Sequence, residues 1–196
     1  MPFNPLGEVR ILFRNWRRTF PVLDDAAGNE MQQLILAAKQ SCDSVGGVIE
    51  CMAINLPAGI GAPFFDSLES RLAHALFSVP AVKGIEFGKG FALAQIPGSE
   101  ANDQMYYDNG VVKTYTNNNG GITGGITNGM PVLFKAAVKP TPSIAKVQKT
   151  VDLSTESNTE LVITGRHDPC IVQRAVPVIE GVAAWVILDM LLAGEK

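Results

Sequence analysis

Residues 170–192 limit what this chain can fold into more than any other segment. They are apolar almost throughout, interrupted by Arg174, Glu180 and Asp189. A helix of that composition has to be covered on most sides, by protein or by lipid. Crossing a bilayer takes roughly 20 apolar residues with few charges. Three charges in this stretch therefore favour a buried core helix and no membrane partner, and such a helix demands a sheet or a second helical layer large enough to cover it. The chain has the means to build one. It is 196 residues long, 46% hydrophobic and 18% charged. A domain of that length buries roughly 70% of its unfolded surface without help from disulfides or metal, and the composition excludes a disordered chain.

Charge and cysteine usage narrow the partners. A net charge of −3 argues against a general nucleic-acid binder, so no nucleic-acid partner is expected. Cys42, Cys51 and Cys170 are an odd number at uninformative spacings and include no CxxC pair. That pattern reads as a reduced, cytoplasmic chain. Arg10, Arg14, Arg17 and Arg18 interrupt the apolar residues near the start, so no secretion leader is expected. His74 and His167 are the two histidines, which leaves little for a zinc site or a Ser-His-Asp triad. No metal site is expected.

Periodicity organises the rest. Residues 1–19 read as an unassigned arm and residues 20–196 as one domain. Met31, Leu34, Ile35 and Ala38 predict a helix over 30–40 with Asn29 as its N-cap. Residues 48–56 and 82–87 read as strands, and 66–77 as a second helix. Gly88-Lys89-Gly90 looks like a hairpin turn into a strand at 91–96. Glycine and asparagine dominate residues 97–129, which read as one long loop, either functional or disordered; the carboxylates between Glu100 and Asp108 read as solvated. Residues 132–138 form a strand candidate, as do 147–153 and 160–163 around a polar turn. Asp168 is placed as N-cap of the final helix, Pro169 at its first position and Cys170 in its first turn. Strands in adjacent pairs, with helices apart from them, indicate an α+β fold.

Three loops carry residue types with chemistry. The first runs Asn117-Asn118-Asn119-Gly120-Gly121-Ile122-Thr123-Gly124-Gly125. Paired glycines allow positive φ and close approach of a ligand to backbone N–H groups; a plain surface loop has the same composition. The second is Lys139-Pro140-Thr141-Pro142-Ser143, one ammonium and two hydroxyls on a stiffened backbone. It suits a phosphate, or simply a rigid turn. The third is Gly165-Arg166-His167-Asp168-Pro169-Cys170 before the apolar helix. Arg166 can bind an anion bidentately; Asp168 is open to a capping role or a chemical one. Asp43-Ser44 before Gly46-Gly47 reads as a turn, and the arginines of the arm as solvated or in contact with another subunit.

Together these pieces resemble a known family. Asp43-Ser44-Val45-Gly46-Gly47, then Phe77-Ser78-Val79-Pro80-Ala81-Val82-Lys83-Gly84, then Asn119 to Ile126, then Lys139 to Ser143, then Gly165 to Cys170 with Arg174-Ala175-Val176-Pro177 follow the order found in chorismate synthases. The resemblance covers residues 20 onward and is to the C-terminal half of that family. The family's N-terminal half, with a glycine-rich segment ending in Ser-His-Gly and a second segment bearing an essential histidine, has no counterpart in these residues. His74 and His167 do not replace those histidines.

The resemblance implies a phosphate-lyase. Such an enzyme removes phosphate by 1,4-elimination from 5-enolpyruvylshikimate 3-phosphate, giving chorismate in the shikimate pathway of aromatic amino-acid biosynthesis, and uses reduced FMN without net redox change. It implies that Pro80, Ala81, Gly124, Lys139, Pro140, Thr141, Pro142, Ser143 and Arg166 hold the cofactor and that Asp168 assists proton transfer at the flavin. It also implies antiparallel sheets packed with a helical layer, half of a β-α-β sandwich, and a homotetramer. The alternative is a truncated flavin- or phosphate-binding or assembly module without activity of its own. On the main reading, Gly124, Lys139 and Arg166 converge on one pocket.

Overall fold

Alternation along one strand decides the centre of the fold. In β7 (Val132–Val138) every second side chain is buried, namely Val132, Phe134, Ala136 and Val138. A strand with that pattern turns one face to a core and pairs on both edges. The computed structural model describes residues 20 and 22–194; the arm and its four arginines lie outside the described residues. β7 is flanked antiparallel by β1 (Gly47–Ala53) on one edge and β2 (Val82–Phe87) on the other. The register runs from Gly47↔Val138 to Ala53↔Val132 and from Val82↔Val138 to Phe87↔Phe134, with a bulge between Val82 and Gly84.

Two helices cover the buried face. Helix α2 (Leu68–Phe77) contributes Leu68, Leu72 and Leu76, and α4 (Val172–Ala193) contributes Ile179, Ala183 and Ile187, one residue per turn in each. They meet Ile49, Cys51 and Ala53 of β1 and the four buried residues of β7. The Phe87 and Phe134 rings pack with centroids 6.0 Å apart. Burial pushes the Cys51 thiol up to about 12, with the Glu180 charge adding to the effect, so this cysteine is a core residue. The architecture is therefore α+β, an antiparallel sheet packed with a helical layer.

Helix α4 is covered less completely than its composition led us to expect. One stripe is buried, while Val178, Leu188 and Leu192 are exposed and Trp185 is 75% exposed. By length and composition it could cross a membrane, with 22 residues and a mean hydropathy of 1.9 over its best 18-residue window. In this fold its buried stripe is seated on the sheet, and Asp189 pairs with Arg71 of α2 at 2.8 Å.

Helix starts differ from the expectation, and capping explains why. Helix α1 (Asp25–Gln40) begins before residue 30, because the Asp24 carboxylate accepts the Ala27 N–H at 2.9 Å; Asn29 lies inside the helix. Helix α2 is capped by Ser67. Helix α4 starts at Val172 after Ile171, which makes no side-chain cap. Asp168 is not its N-cap, Pro169 is not its first residue and Cys170 precedes it. The Asp168 carboxylate instead accepts the Cys170 N–H at 3.1 Å and pairs with Arg174 at 2.6 Å, closing a turn ahead of the helix.

Residues 88–129 depart furthest from expectation. The segment after β2 is a 3-10 helix (Gly90–Gln95), not a strand. Gly88 and Gly90 adopt positive φ, the Gly88 N–H goes to the Leu133 carbonyl at 2.9 Å and the Lys89 N–H to the Asn118 carbonyl at 2.8 Å. The chain is thereby turned across the end of β7 and does not fold back along β2. Residues 97–129 are structured: α3 (Gly98–Ala101), a hairpin of β3 (Met105–Asp108) with β4 (Val111–Thr114), and a smaller hairpin of β5 (Ile122–Thr123) with β6 (Ile126–Thr127).

Asp103, one of the carboxylates expected to be solvated, organises that region. It accepts the Thr116 hydroxyl at 2.7 Å, the Asn118 N–H at 2.7 Å, the Asn119 N–H at 2.9 Å and the Asn119 side-chain amide at 3.0 Å. The buried Asn118 amide in turn donates to the Glu100 and Ala101 carbonyls. A Cβ at Gly120 would run into the Gly88 amide and the Leu133 carbonyl. The asparagines and the first glycine of the loop are thus committed to the fold. Further on, β8 (Gln148–Asp152) and β9 (Ser157–Leu161) pair with each other in a largely exposed hairpin, with β9 earlier than its expected 160–163.

Burial alone would raise the Asp103 carboxyl, but donors from Asn119, Thr116 and Asn118 outweigh it and hold the group below its ordinary value. Its stabilising contribution is present above the unfolded carboxylate value and lost as pH falls through the depressed folded one. Asp103→Ala is expected to cost about 1–3 kcal/mol at neutral pH. Urea unfolding should show that difference at pH 7 and a narrower one at pH 3.

Candidate functional site

Sheet register brings distant loops to one end of β7. Val138 pairs with Gly47 on one side and Val82 on the other. The residues just outside these pairs, Gly46, Ala81 and Lys139, are therefore neighbours. The Lys139 N–H donates to the Ala81 carbonyl at 2.9 Å. Ala81 holds φ at +72°, a left-handed conformation that costs a residue with a Cβ about 1–2 kcal/mol. A Cβ at Gly46 would strike the Val138 carbonyl and the Pro140 ring, so the loop needs glycine there.

The same loop gathers the two remaining segments. Ser44 Oγ donates to the Thr141 carbonyl at 2.6 Å. The Val45 N–H donates to the Pro169 carbonyl at 2.9 Å. Pro80, Ala81, Lys139, Pro140 and Thr141, with Pro142 and Ser143 following, thus share one end of the sheet with the segment holding Arg166 and Asp168.

The electrostatics of this cradle favour an anion. Lys139 and Arg166 are exposed and make no ion pair among the described residues. Two other cations of these segments are engaged, Arg174 with Asp168 and Lys146 with Asp43, each at 2.6 Å. The hydrogen bond from Lys146, followed by that from the Ser44 N–H, holds the Asp43 carboxyl below its usual value. The Thr141 hydroxyl is buried and has no hydrogen-bond partner, as is true of the Gln173 side-chain oxygen in the first turn of α4. Buried polar atoms are normally satisfied. A phosphate would accept from the Thr141 hydroxyl while the ammonium and guanidinium offset its charge. The donor set therefore fits the phosphate end of a cofactor.

His167 donates from Nε2 to the Ile163 carbonyl at 2.9 Å. His74 is exposed on α2 and Cys170 is buried. Among the described residues no group of three His, Cys, Asp or Glu is placed to hold a metal.

Gly124 does not join this cradle, and the single pocket expected from Gly124, Lys139 and Arg166 is not formed within this chain. Gly124 and Gly125 are the turn between β5 and β6, with φ of +63° and +86°. The Gly125 carbonyl accepts the Leu68 N–H at 3.0 Å, which fixes the turn at the start of α2. Ala81 lies beyond the other end of that helix. β7 separates the two sites by roughly 20 Å. A Cβ at Gly124 would meet nothing within 4 Å, so its backbone faces open space.

A cavity of about 560 Å³ lies at this second end, between residues 57–62, Arg71 and the last turn of α4. Arg71 bridges Asp66 at 3.3 Å and Asp189 at 2.8 Å within it. The sequence reading missed this cavity, since Arg71 and Asp189 lie 118 positions apart and share no local pattern. It also missed Gln173, and gave Asp43 and Ser44 no role beyond a turn and a motif of the resemblance.

The profile of the family described as chorismate synthase matches residues 6–192, a span that begins inside the segment read as an arm. The chorismate synthase of Dehalococcoides mccartyi is 51% identical over 169 residues, 86% of this chain and 46% of that protein. That of Methanosarcina barkeri is 51% identical over 188 residues, 96% of this chain and 52% of that protein. A crystal structure of chorismate synthase superposes with a TM-score of 0.70 at 31% identity, over 86% of this chain and 44% of the other. The chain spans about half the length of the relatives it matches.

Ala81→Gly is expected to be neutral or stabilising by up to about 1 kcal/mol, because the relief of left-handed strain exceeds the added unfolded-state freedom of glycine. Thermal unfolding checks this; a clear loss of stability would contradict the strained conformation.

Proposed function

This chain belongs to the chorismate synthase family, and from that premise we propose that its cradle at the Lys139 end of the sheet is the flavin-phosphate part of a phosphate-lyase site. The reaction is the 1,4-elimination of phosphate from 5-enolpyruvylshikimate 3-phosphate to chorismate, in aromatic amino-acid biosynthesis. What supports the reading is that exposed Lys139 and the unsatisfied Thr141 hydroxyl lie on one loop, which residues 44 and 45 tie to the segment carrying exposed Arg166.

Reduced FMN, when bound, supplies transient electron density that helps phosphate leave. The chain's own residues bind and orient. Lys139 and Arg166 neutralise the anionic end of the cofactor. Thr141 and Ser143 hydroxyls donate to its oxygens. Pro140 and Pro142 stiffen the segment, so that little freedom is lost on binding. Pro80 and Ala81 form the wall against which Lys139 is hydrogen-bonded. The Asp168 carboxylate, held by the Cys170 N–H and Arg174, assists proton transfer at the flavin.

Gly124 enters this scheme as an open backbone turn offered to a cofactor held elsewhere. Its distance from Lys139 is why the proposed assembly is a homo-oligomer, a tetramer as in the family, with cofactor sites shared across contacts. Residues 20–196 act as one flavin-binding domain, in the cytoplasm.

The test is turnover: phosphate release and chorismate absorbance from the enolpyruvyl substrate with reduced FMN under anaerobic conditions. Turnover supports the enzymatic reading. Flavin binding without turnover reduces the chain to a binding module, and no binding at high micromolar FMN removes the site. Arg166→Ala and Lys139→Ala should each weaken FMN binding about ten-fold. The wild-type affinity should fall with added salt, and less steeply in either variant; unchanged affinity would take that residue out of the site.

A further inference from the structure

The short loop between α1 and β1 is where the cradle is held together. Residues 139–171 leave the sheet at the end of β7 and return at α4. Between those points β8 and β9 take their strand pairing from each other, so this excursion is fixed mainly at its two roots. At the first root, Ser44 Oγ donates to the Thr141 carbonyl at 2.6 Å and the Lys146 ammonium lies 2.6 Å from the Asp43 carboxylate. At the second, the Val45 N–H donates to the Pro169 carbonyl at 2.9 Å. Asp43 Oδ1 also accepts the Ser44 N–H at 2.8 Å, which locks the turn that aims the Ser44 hydroxyl at Thr141. Three consecutive residues of this loop thus span the segment with the unsatisfied Thr141 hydroxyl and the segment with Arg166 and Asp168.

We propose that Asp43 and Ser44 are positioning residues of the cofactor cradle: Ser44 fixes the Thr141 segment, and Asp43 fixes Ser44. This rests on the flavin-site reading above and extends it to residues that would not touch the cofactor. The Ser44 contact matters more than the Asp43–Lys146 pair. Both partners of that pair are about half exposed, and exposed pairs contribute little. The half-buried hydroxyl donates to a carbonyl 97 positions away, which no local hydrogen bond can replace.

The experiment uses the full 196-residue chain, with FMN affinity by fluorescence quenching, amide hydrogen exchange at residues 140–146 and thermal unfolding. Ser44→Ala should weaken FMN binding about three- to ten-fold and speed exchange at Thr141 and Ser143. Ser44→Thr, which keeps the hydroxyl, should restore both. Asp43→Ala should follow Ser44→Ala. Asp43→Asn, which keeps an acceptor for the Ser44 N–H, should stay within about two-fold of wild type. A merely structural role would lower the unfolding temperature and leave affinity and local exchange unchanged; that result overturns the proposal. Should Ser44→Ala fail to fold, Asp43→Ala decides on the same readouts. Wild-type chain that binds no FMN removes the flavin reading and this inference with it, an outcome distinct from wild type and variants binding alike.

Discussion

Strand β7 pairs on both edges with strands far away in sequence, and the rest of the molecule follows from that. Its buried side chains need α2 and α4 above them. Its paired edges fix where β1 and β2 begin and end. Loops at one end of the sheet therefore meet whatever their position in the chain, and loops at the other end are kept away. The cradle of Ala81, Lys139 and Thr141 and the open turn at Gly124 are the two ends of this one arrangement. A change in the register of β7 would invert its buried face and separate Lys139 from Ala81 together.

The two-layer packing leaves the outer side of α4 apolar and exposed, with Trp185 foremost. A sheet with helices on one face satisfies the inner stripe of each helix and no more. The chain spans about half the length of its relatives. The cradle lies at the sheet end instead, where the backbone of its segments is held by hydrogen bonds within this chain.

What could be read from the residues followed how local the cause was. The strands 82–87 and 132–138 were legible because β-branched and apolar residues mark them off between turn residues. Helix α1 was started late because its cap, Asp24, precedes the apolar periodicity used to find it. Asp168 looked like a cap by spacing, yet Arg174, six residues on, claimed its carboxylate. The asparagine-rich stretch was read as a loop because its order comes from Asp103, whose partners lie 13–16 positions away. Motifs grouped the Lys139–Ser143 and Gly165–Cys170 segments, and both segments hydrogen-bond to the loop ahead of β1. The exclusion of Gly124 was not, since it depends on the length and direction of β7 and α2, and neither was the reach of Ser44 to Thr141.

The central claim is that the Lys139 end of the sheet binds a phosphate-bearing flavin. Hydrogen exchange of the whole chain, with and without FMN, tests it most directly. The account predicts new protection at residues 139–143 and 166–170, with residues 57–62 unaffected. Protection confined to residues 57–62 and 189–194 around the opposite cavity, or none anywhere, would contradict it.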